Sequence, residues 1–294
     1  MMAKVKYSIK DLENFTGIKA HTIRIWEQRY NLLKPERTKT NIRFYDDTDL
    51  KKILNINLLY NSGYKISKIA LLSELNIINN AKLIITERNL DEEPEVDALM
   101  IAILDFDKNK IKEILNNYSS NIYKLYSSII IPFLNKIGEL WQVNTIEIVH
   151  EHLFSSLYRD FLFSKIDNLA STDHSESSVI LFLHDDEQHE FSILLYYYLF
   201  KSKGYNCFYL GQNLPLDNLK LTISKIAPKY ILTTCIAQVN ENKFRSIIQS
   251  LVTHTTETEV IIGGHQTSIF KELIPSSIKV INSKKEFEKL AASL

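Results

Sequence analysis

The hydrophobic and polar positions follow one rhythm in the first half of the chain and another in the second. Ser8 stands where it can cap a short helix, Phe15-Thr16-Gly17-Ile18 reads as a tight turn, and His21 to Tyr30 reads as a second helix. Two short helices across a Gly-containing turn form a helix-turn-helix pattern. Pro35, a polar stretch and Ile42-Arg43-Phe44-Tyr45 predict a small hairpin, or wing. Asp46 to Asp49 caps a further helix over roughly 49–61, and Ser67 begins a fourth. The Asn-rich stretch from Asn76 to Pro94 is a candidate linker. From Val96 to Leu169 the pattern is helical, with breaks near Asp107, Asn121 and Asn144 that divide it into four helices, enough for a small bundle. Pro132 lies inside the third and is expected to kink it.

After the polar stretch 171–178, a second candidate linker, the period changes. Val179–Leu183, Cys207–Leu210, Tyr230–Thr234, Val260–Ile262 and Val280-Ile281 are short apolar runs that alternate with amphipathic helices. That alternation predicts a parallel sheet with crossover helices. The expected fold class is therefore multidomain α and α/β. A winged helix-turn-helix head occupies 1–75, a four-helix bundle 93–170, and a doubly wound, flavodoxin-like parallel sheet 177–294.

The chain of 294 residues has a formal net charge of zero, 35 Lys and Arg against 35 Asp and Glu, which on its face disfavours a nucleic-acid partner. The zero is a sum over unlike parts. Residues 1–70 hold 14 Lys and Arg against 7 acids, a charge of +7, so the remainder carries −7. A basic module joined to an acidic one points to a polyanion-binding head and a body with another task. The two cysteines, Cys207 and Cys235, have no CxxC spacing, which excludes a disulfide framework or a cysteine-rich zinc site. They fall in predicted strands and read as buried fillers. No apolar run reaches membrane-spanning length, and Met1 to Asp11 lack the apolar core of a secretion signal, so no membrane partner and a cytoplasmic location are expected. Gly-x-Ser-x-Gly, a Gly-rich P-loop and His-Glu-x-x-His are all absent, and no catalytic residue is assigned.

Three sets of residues carry a resemblance. Thr22-Ile23-Arg24-Ile25-Trp26-Glu27-Gln28-Arg29-Tyr30, Leu32-Leu33-Lys34-Pro35 and Arg43-Phe44-Tyr45 together resemble the winged-helix head of MerR-family transcription regulators. The resemblance implies binding to a double-stranded DNA operator through Thr22, Arg24, Arg29, Tyr30, Arg37, Arg43 and Tyr45, with Trp26 packed partly in the core. Glu187-Gln188-His189, Thr233-Thr234 and Gly263-Gly264 fall at successive strand ends and resemble the cobalamin-binding domains of methionine synthase and its relatives. There the histidine gives its imidazole to cobalt, which implies His189 as the metal ligand with Glu187 on its other ring nitrogen. It also implies a cofactor tail entering the sheet edge beside Ser192, Thr233, Thr234 and the two glycines. Ser192 replaces the glycine of that pattern and Thr233 or Thr234 its serine; a hydroxymethyl group at 192 narrows the slot.

Trp141, followed after nine residues by Glu151-His152, resembles the helical cap of CarH/LitR-type regulators, light-responsive MerR proteins that bind adenosylcobalamin. The resemblance implies that Trp141, Glu151 and His152 enclose the adenosyl group. It also implies that the cofactor favours a DNA-binding oligomer, a dimer or tetramer, that light dissociates. Gln142 stands where that family has a histidine that becomes the second cobalt ligand after photolysis. The illuminated state is left with His150 or His152, with water, or with no such ligand. His150 and His152 are i,i+2 on a helix and do not face one another, which disfavours a two-histidine metal site. Two alternatives stay open. One is a MerR-type regulator that has lost cobalamin and answers to a protein partner or another ligand. The other is a corrinoid enzyme or methyl carrier.

Overall fold

The computed structural model describes residues 6–38, 40–88, 94–170, 177–253 and 258–294. The polar stretch 171–178 therefore lies largely outside the described residues. Helix α1 (Ile9–Thr16) starts at a reciprocal capping box between Ser8 and Asp11 and stops at Gly17, whose φ of 72° continues no helix. Helix α2 (Ala20–Tyr30) buries Ile23 and Trp26 and ends on left-handed Asn31. Strands β1 (Glu36–Arg37) and β2 (Arg43–Phe44) pair antiparallel as the wing. Asp46 and Asp49 form a second capping box that opens α3 (Asp47–Asn61). A short α4 (Ile66–Ile69) follows.

Most of the stretch expected as a linker is instead helix α5 (Glu74–Arg88), and its remainder over 89–93 lies outside the described residues. Its asparagines obscure a stripe at four-residue spacing, Ile77, Ala81 and Ile85, which is buried in the same core as Leu12, Ile23, Ile53, Ile56 and Leu59. The stripe packs there because α3 supplies the surface on which it closes.

Four helical elements come next: α6 (Pro94–Leu104), α7 (Lys108–Asn117), a third built from α8 (Ile122–Lys124) and α9 (Ile131–Gln142), and α10 (Ile148–Asp167). The breaks fall where local chemistry dictates. Asp107 accepts from the amides of Asn109 and Lys110, Asn121 caps α8, and Asn144 adopts φ 55°. Pro132 sits in the first turn of α9, and the residues before it, Leu125–Ile130, form a π-helical turn. The helix widens ahead of a residue that has no N–H to donate.

Backbone contacts divide the chain into two compact units, Met1–Ile114 with Ser128–Phe154, and Leu115–Ser127 with Ser155–Leu294. The helical region is shared between them. In the first unit Val143 is fully buried in the head core and Trp141 packs against it. In the second, Tyr123 stacks on Phe287 at 4.3 Å, and the Tyr158 ring meets Phe191 edge-on at 4.9 Å.

The second unit holds a five-stranded sheet of β3 (Ser178–Phe182), β4 (Asn206–Tyr209), β5 (Tyr230–Thr234), β6 (Glu259–Gly263) and β7 (Ile278–Ile281). The order is β4-β3-β5-β6-β7 and all pairs are parallel, the flavodoxin-like arrangement. Helices α11 (Phe191–Ser202), α12 (Leu219–Ile226), α13 (Glu241–Thr253), α14 (His265–Ile269) and α15 (Lys284–Ser293) connect and follow the strands. The order of strand addition reverses between β3 and β5, β4 lying to one side and β5 to β7 to the other, so the loops after those strands are where such a sheet presents a ligand.

Candidate functional site

The loop after β3 is organised by one carboxylate. Glu187 is fully buried. Its Oε1 accepts from the amides of Gln188 at 3.0 Å and His189 at 2.9 Å, and meets His189 Nδ1 at 2.7 Å. Its Oε2 accepts from the amides of Ile236 at 2.6 Å and Ala237 at 2.7 Å, just past β5. Burial alone would raise its pKa, but the His189 ring and these amides outweigh it and hold the carboxyl at about 2. Glu187 therefore ties the two loops of the switch point together and fixes one nitrogen of His189. The His189 side chain is 60% exposed. Its Nδ1 being committed to Glu187, Nε2 is the atom that would meet a metal, the arrangement by which a carboxylate orients a ligating histidine.

Thr234 ends β5 opposite Gly263, and Ser192 Oγ lies 3.4 Å from Thr234 Oγ1. Tyr126 also bonds to Ser192. Ser192 thus bridges α11 to the sheet edge where the family pattern has a bare glycine. The glycine pair serves the chain's own packing. A Cβ on Gly264, at φ 100°, would fall 2.4 Å from Cys235 O, and one on Gly263 would fall 2.9 Å from Ile281 O. The close approach of neighbouring backbone by itself requires glycine at both positions.

Two residues at this end of the sheet, His184 and Gln266, were not singled out in the sequence, and they share a feature with Thr233, which was. Thr233 Oγ1, His184 Nε2 and Gln266 Oε1 are buried without a hydrogen-bond partner. His184 is fully buried, and that burial pushes its pKa down. Orphaned polar atoms at the carboxyl edge of a parallel sheet are the signature of a site built for a polar ligand. The His189–Glu187 donor pair and these atoms fit a cobalt corrinoid; the Ser192–Thr234 contact narrows its approach. Cys235 is buried and Cys207 half-buried, and burial pushes both thiols up to about 12.

Trp141, Glu151 and His152 belong to the first unit and the His189 cluster to the second. Glu151 Oε2 meets His152 Nδ1 at 2.9 Å, and the His150 ring lies 4.9 Å from that of Phe106, tilted by 38°. Trp141 lies under Lys51 of α3, whose Nζ is 4.3 Å from the ring centroid. Lys51 also donates to Asn144 Oδ1 at 2.8 Å.

In the head, Glu27 is turned inward, accepting from Arg43 Nε at 3.0 Å and from the Tyr45 hydroxyl. Tyr45 is fully buried, so it does not contact phosphate as the motif implied; it pins the wing to α2. Tyr30 is half-buried against the head core with the Arg29 guanidinium 5.5 Å from its ring centroid. Arg43 is 23% exposed and ion-paired. Arg37 is exposed and donates to Asn41 at 2.7 Å, Arg24 and Arg29 are exposed, and Thr22 is half-buried. Trp26 is in the core, edge-on to Tyr60.

Residues 7–75 match the model of the MerR HTH family regulatory protein, and residues 95–162 match that of the B12 binding domain. The chain thus joins a MerR-type head to a B12-binding domain. Among its relatives, the HTH-type transcriptional repressor CarH of Myxococcus xanthus is 24% identical over 257 residues, 85% of each chain. The HTH-type transcriptional repressor CarA of the same organism is 20% identical over 264 residues, 87% of this chain and 85% of that one. The head alone is 35% identical over 66 residues to the HTH-type transcriptional regulator MlrA of Escherichia coli (strain K12), 22% of this chain and 27% of that one. In fold, the regulator is similar to the Methanosarcina barkeri monomethylamine corrinoid protein, with a TM-score of 0.52 at 12% identity, covering 66% of this chain and 95% of that one. Among the described residues no helix is long and apolar enough to cross a membrane.

Proposed function

We propose that this chain is a cytoplasmic, non-enzymatic transcriptional repressor whose self-association and operator binding are set by adenosylcobalamin and released by light. The observation that carries the reading is the His189–Glu187 pair at the switch point of the sheet, in a chain that begins with a MerR head. When bound, the cofactor supplies a cobalt–carbon bond that light breaks. His189 would give its imidazole to the metal, with Glu187 holding the ring in one tautomer and one orientation. Trp141 would shield the adenosyl group from water, and Glu151 and His152 would hold its polar groups. Arg24, Arg29 and Arg37 neutralise operator phosphates. The cofactor stabilises the DNA-binding dimer or tetramer only to the extent that it binds that state better than the other.

The test is to add adenosylcobalamin to the purified chain in the dark and record an absorption spectrum and a sizing profile before and after illumination. A bound corrin that His189→Ala abolishes, with a profile that changes on illumination, is expected. No bound corrin sinks the cofactor reading; an unchanged profile sinks the switch.

One observation favours a second reading. The Ser192–Thr234 contact and the Tyr126 bond to Ser192 narrow the slot, as in a regulator that has given up cobalamin for a protein partner. The same spectrum separates the two.

A further inference from the structure

The outward side of α2 carries side chains that none of the roles above uses. Ile23 and Trp26 are buried, Tyr30 is half-buried, and Glu27 is turned inward to Arg43 and Tyr45. With 3.6 residues per turn, the side opposite that edge is formed by His21, Ile25 and Gln28, all exposed, with Arg24 and Arg29 beside them. Ile25, 49% exposed, forms the crest. A β-branched residue is a modest helix former, and at this position it serves no core. It is an apolar knob set between two guanidinium groups on the helix of a +7 head.

We infer that Ile25 reads the 5-methyl group of a thymine in the major groove, which makes it a specificity-determining residue for the operator. The inference rests on the reading of the head as a DNA binder. The thymine methyl is the apolar feature that base pairs offer in the major groove, and aliphatic side chains recognise it. Charge complementarity brings the helix there: Arg24 and Arg29 flank the crest where phosphates line the groove. His21, one turn before Ile25, and Gln28, one turn after it, present hydrogen-bonding groups to neighbouring base edges.

The experiment is to select bound sequences from a random duplex library with the full chain, in the dark, with and without adenosylcobalamin. Each thymine of the selected site is then replaced singly by uracil, which removes only the methyl group. One position is expected to lose about fourfold in affinity, the worth of one buried methyl-sized group. Ile25→Ala is expected to abolish that penalty and leave the effect of other substitutions unchanged, while Ile25→Val keeps it. Ile25 is exposed, so these variants fold. A uracil penalty that persists in Ile25→Ala, or no penalty at any thymine, overturns the inference while leaving the head a DNA binder. If no sequence is enriched under either condition, the DNA-binding reading and this inference fall together.

Discussion

Asn55 and Gln142, 87 residues apart, hold each other through two hydrogen bonds: Asn55 Nδ2 donates to Gln142 O at 3.1 Å and Gln142 Nε2 donates to Asn55 Oδ1 at 2.9 Å. Asn55 is 2% exposed on α3 of the head, and Gln142 ends α9. With Val143 buried in the head core and Lys51 over Trp141, this pair fastens the Trp141–Asn144 segment to the head. Gln142 is also where the chain departs from the CarH/LitR pattern, and here the departing residue has structural work. Gln142→Ala leaves the buried Asn55 oxygen without its donor and is expected to cost about 1–3 kcal/mol. Urea unfolding monitored on the head measures it. A cost below about 0.5 kcal/mol, the size of an ordinary surface change, would show that the pair does not fasten the segment.

Glu187→Gln removes the acceptor that faces four amides and a ring nitrogen. Its effect on cofactor binding is expected to be about 10–100-fold, the usual size when the partner of a ligating histidine is lost. Titration with cobalamin followed by absorption reads it. Unchanged affinity would mean that His189 needs no orienting carboxylate.

The same residue sets an acid limb of stability. Its folded pKa of about 2 lies below the ordinary carboxylate value of 4.5. The contribution is therefore complete above about pH 4.5 and is lost as the pH falls from there through about 2, at most about 3 kcal/mol. Urea midpoints between pH 2.5 and 6 should fall steeply in the parent chain and less steeply in Glu187→Gln. Parallel curves would contradict the assignment.

Tyr45→Phe distinguishes a core role from a phosphate contact. Removing a hydroxyl that bonds Glu27 is expected to cost about 1 kcal/mol of stability and to leave the salt dependence of DNA binding unaltered. A salt slope reduced by about one charge unit would restore Tyr45 to the DNA surface.

Ser192→Gly removes the side chain that bridges α11 to Thr234 and is expected to tighten cobalamin binding. Weaker binding in that variant would assign the hydroxyl to the ligand instead of the barrier.

What the sequence determined is what local chemistry and periodicity encode. Ser8–Asp11 and Asp46–Asp49 cap helices using groups three residues apart. The apolar runs of β3 to β7 predict buried parallel strands because both faces must be covered. The basic surplus of the first 70 residues is a matter of counting. Tertiary structure decided which face of each element meets which neighbour. Ile77, Ala81 and Ile85 became head core because α3 offers a matching surface, so a presumed linker is a helix. Tyr45 turned inward because Glu27 awaits its hydroxyl, and Trp141 lies against Lys51 because Val143 anchors its segment in the head. Gly264 is glycine because the Cys235 carbonyl occupies the space a side chain would need. A sequence carries the period of its own residues; the partner that closes each face is supplied by chain far away, and only the packed fold brings the two together.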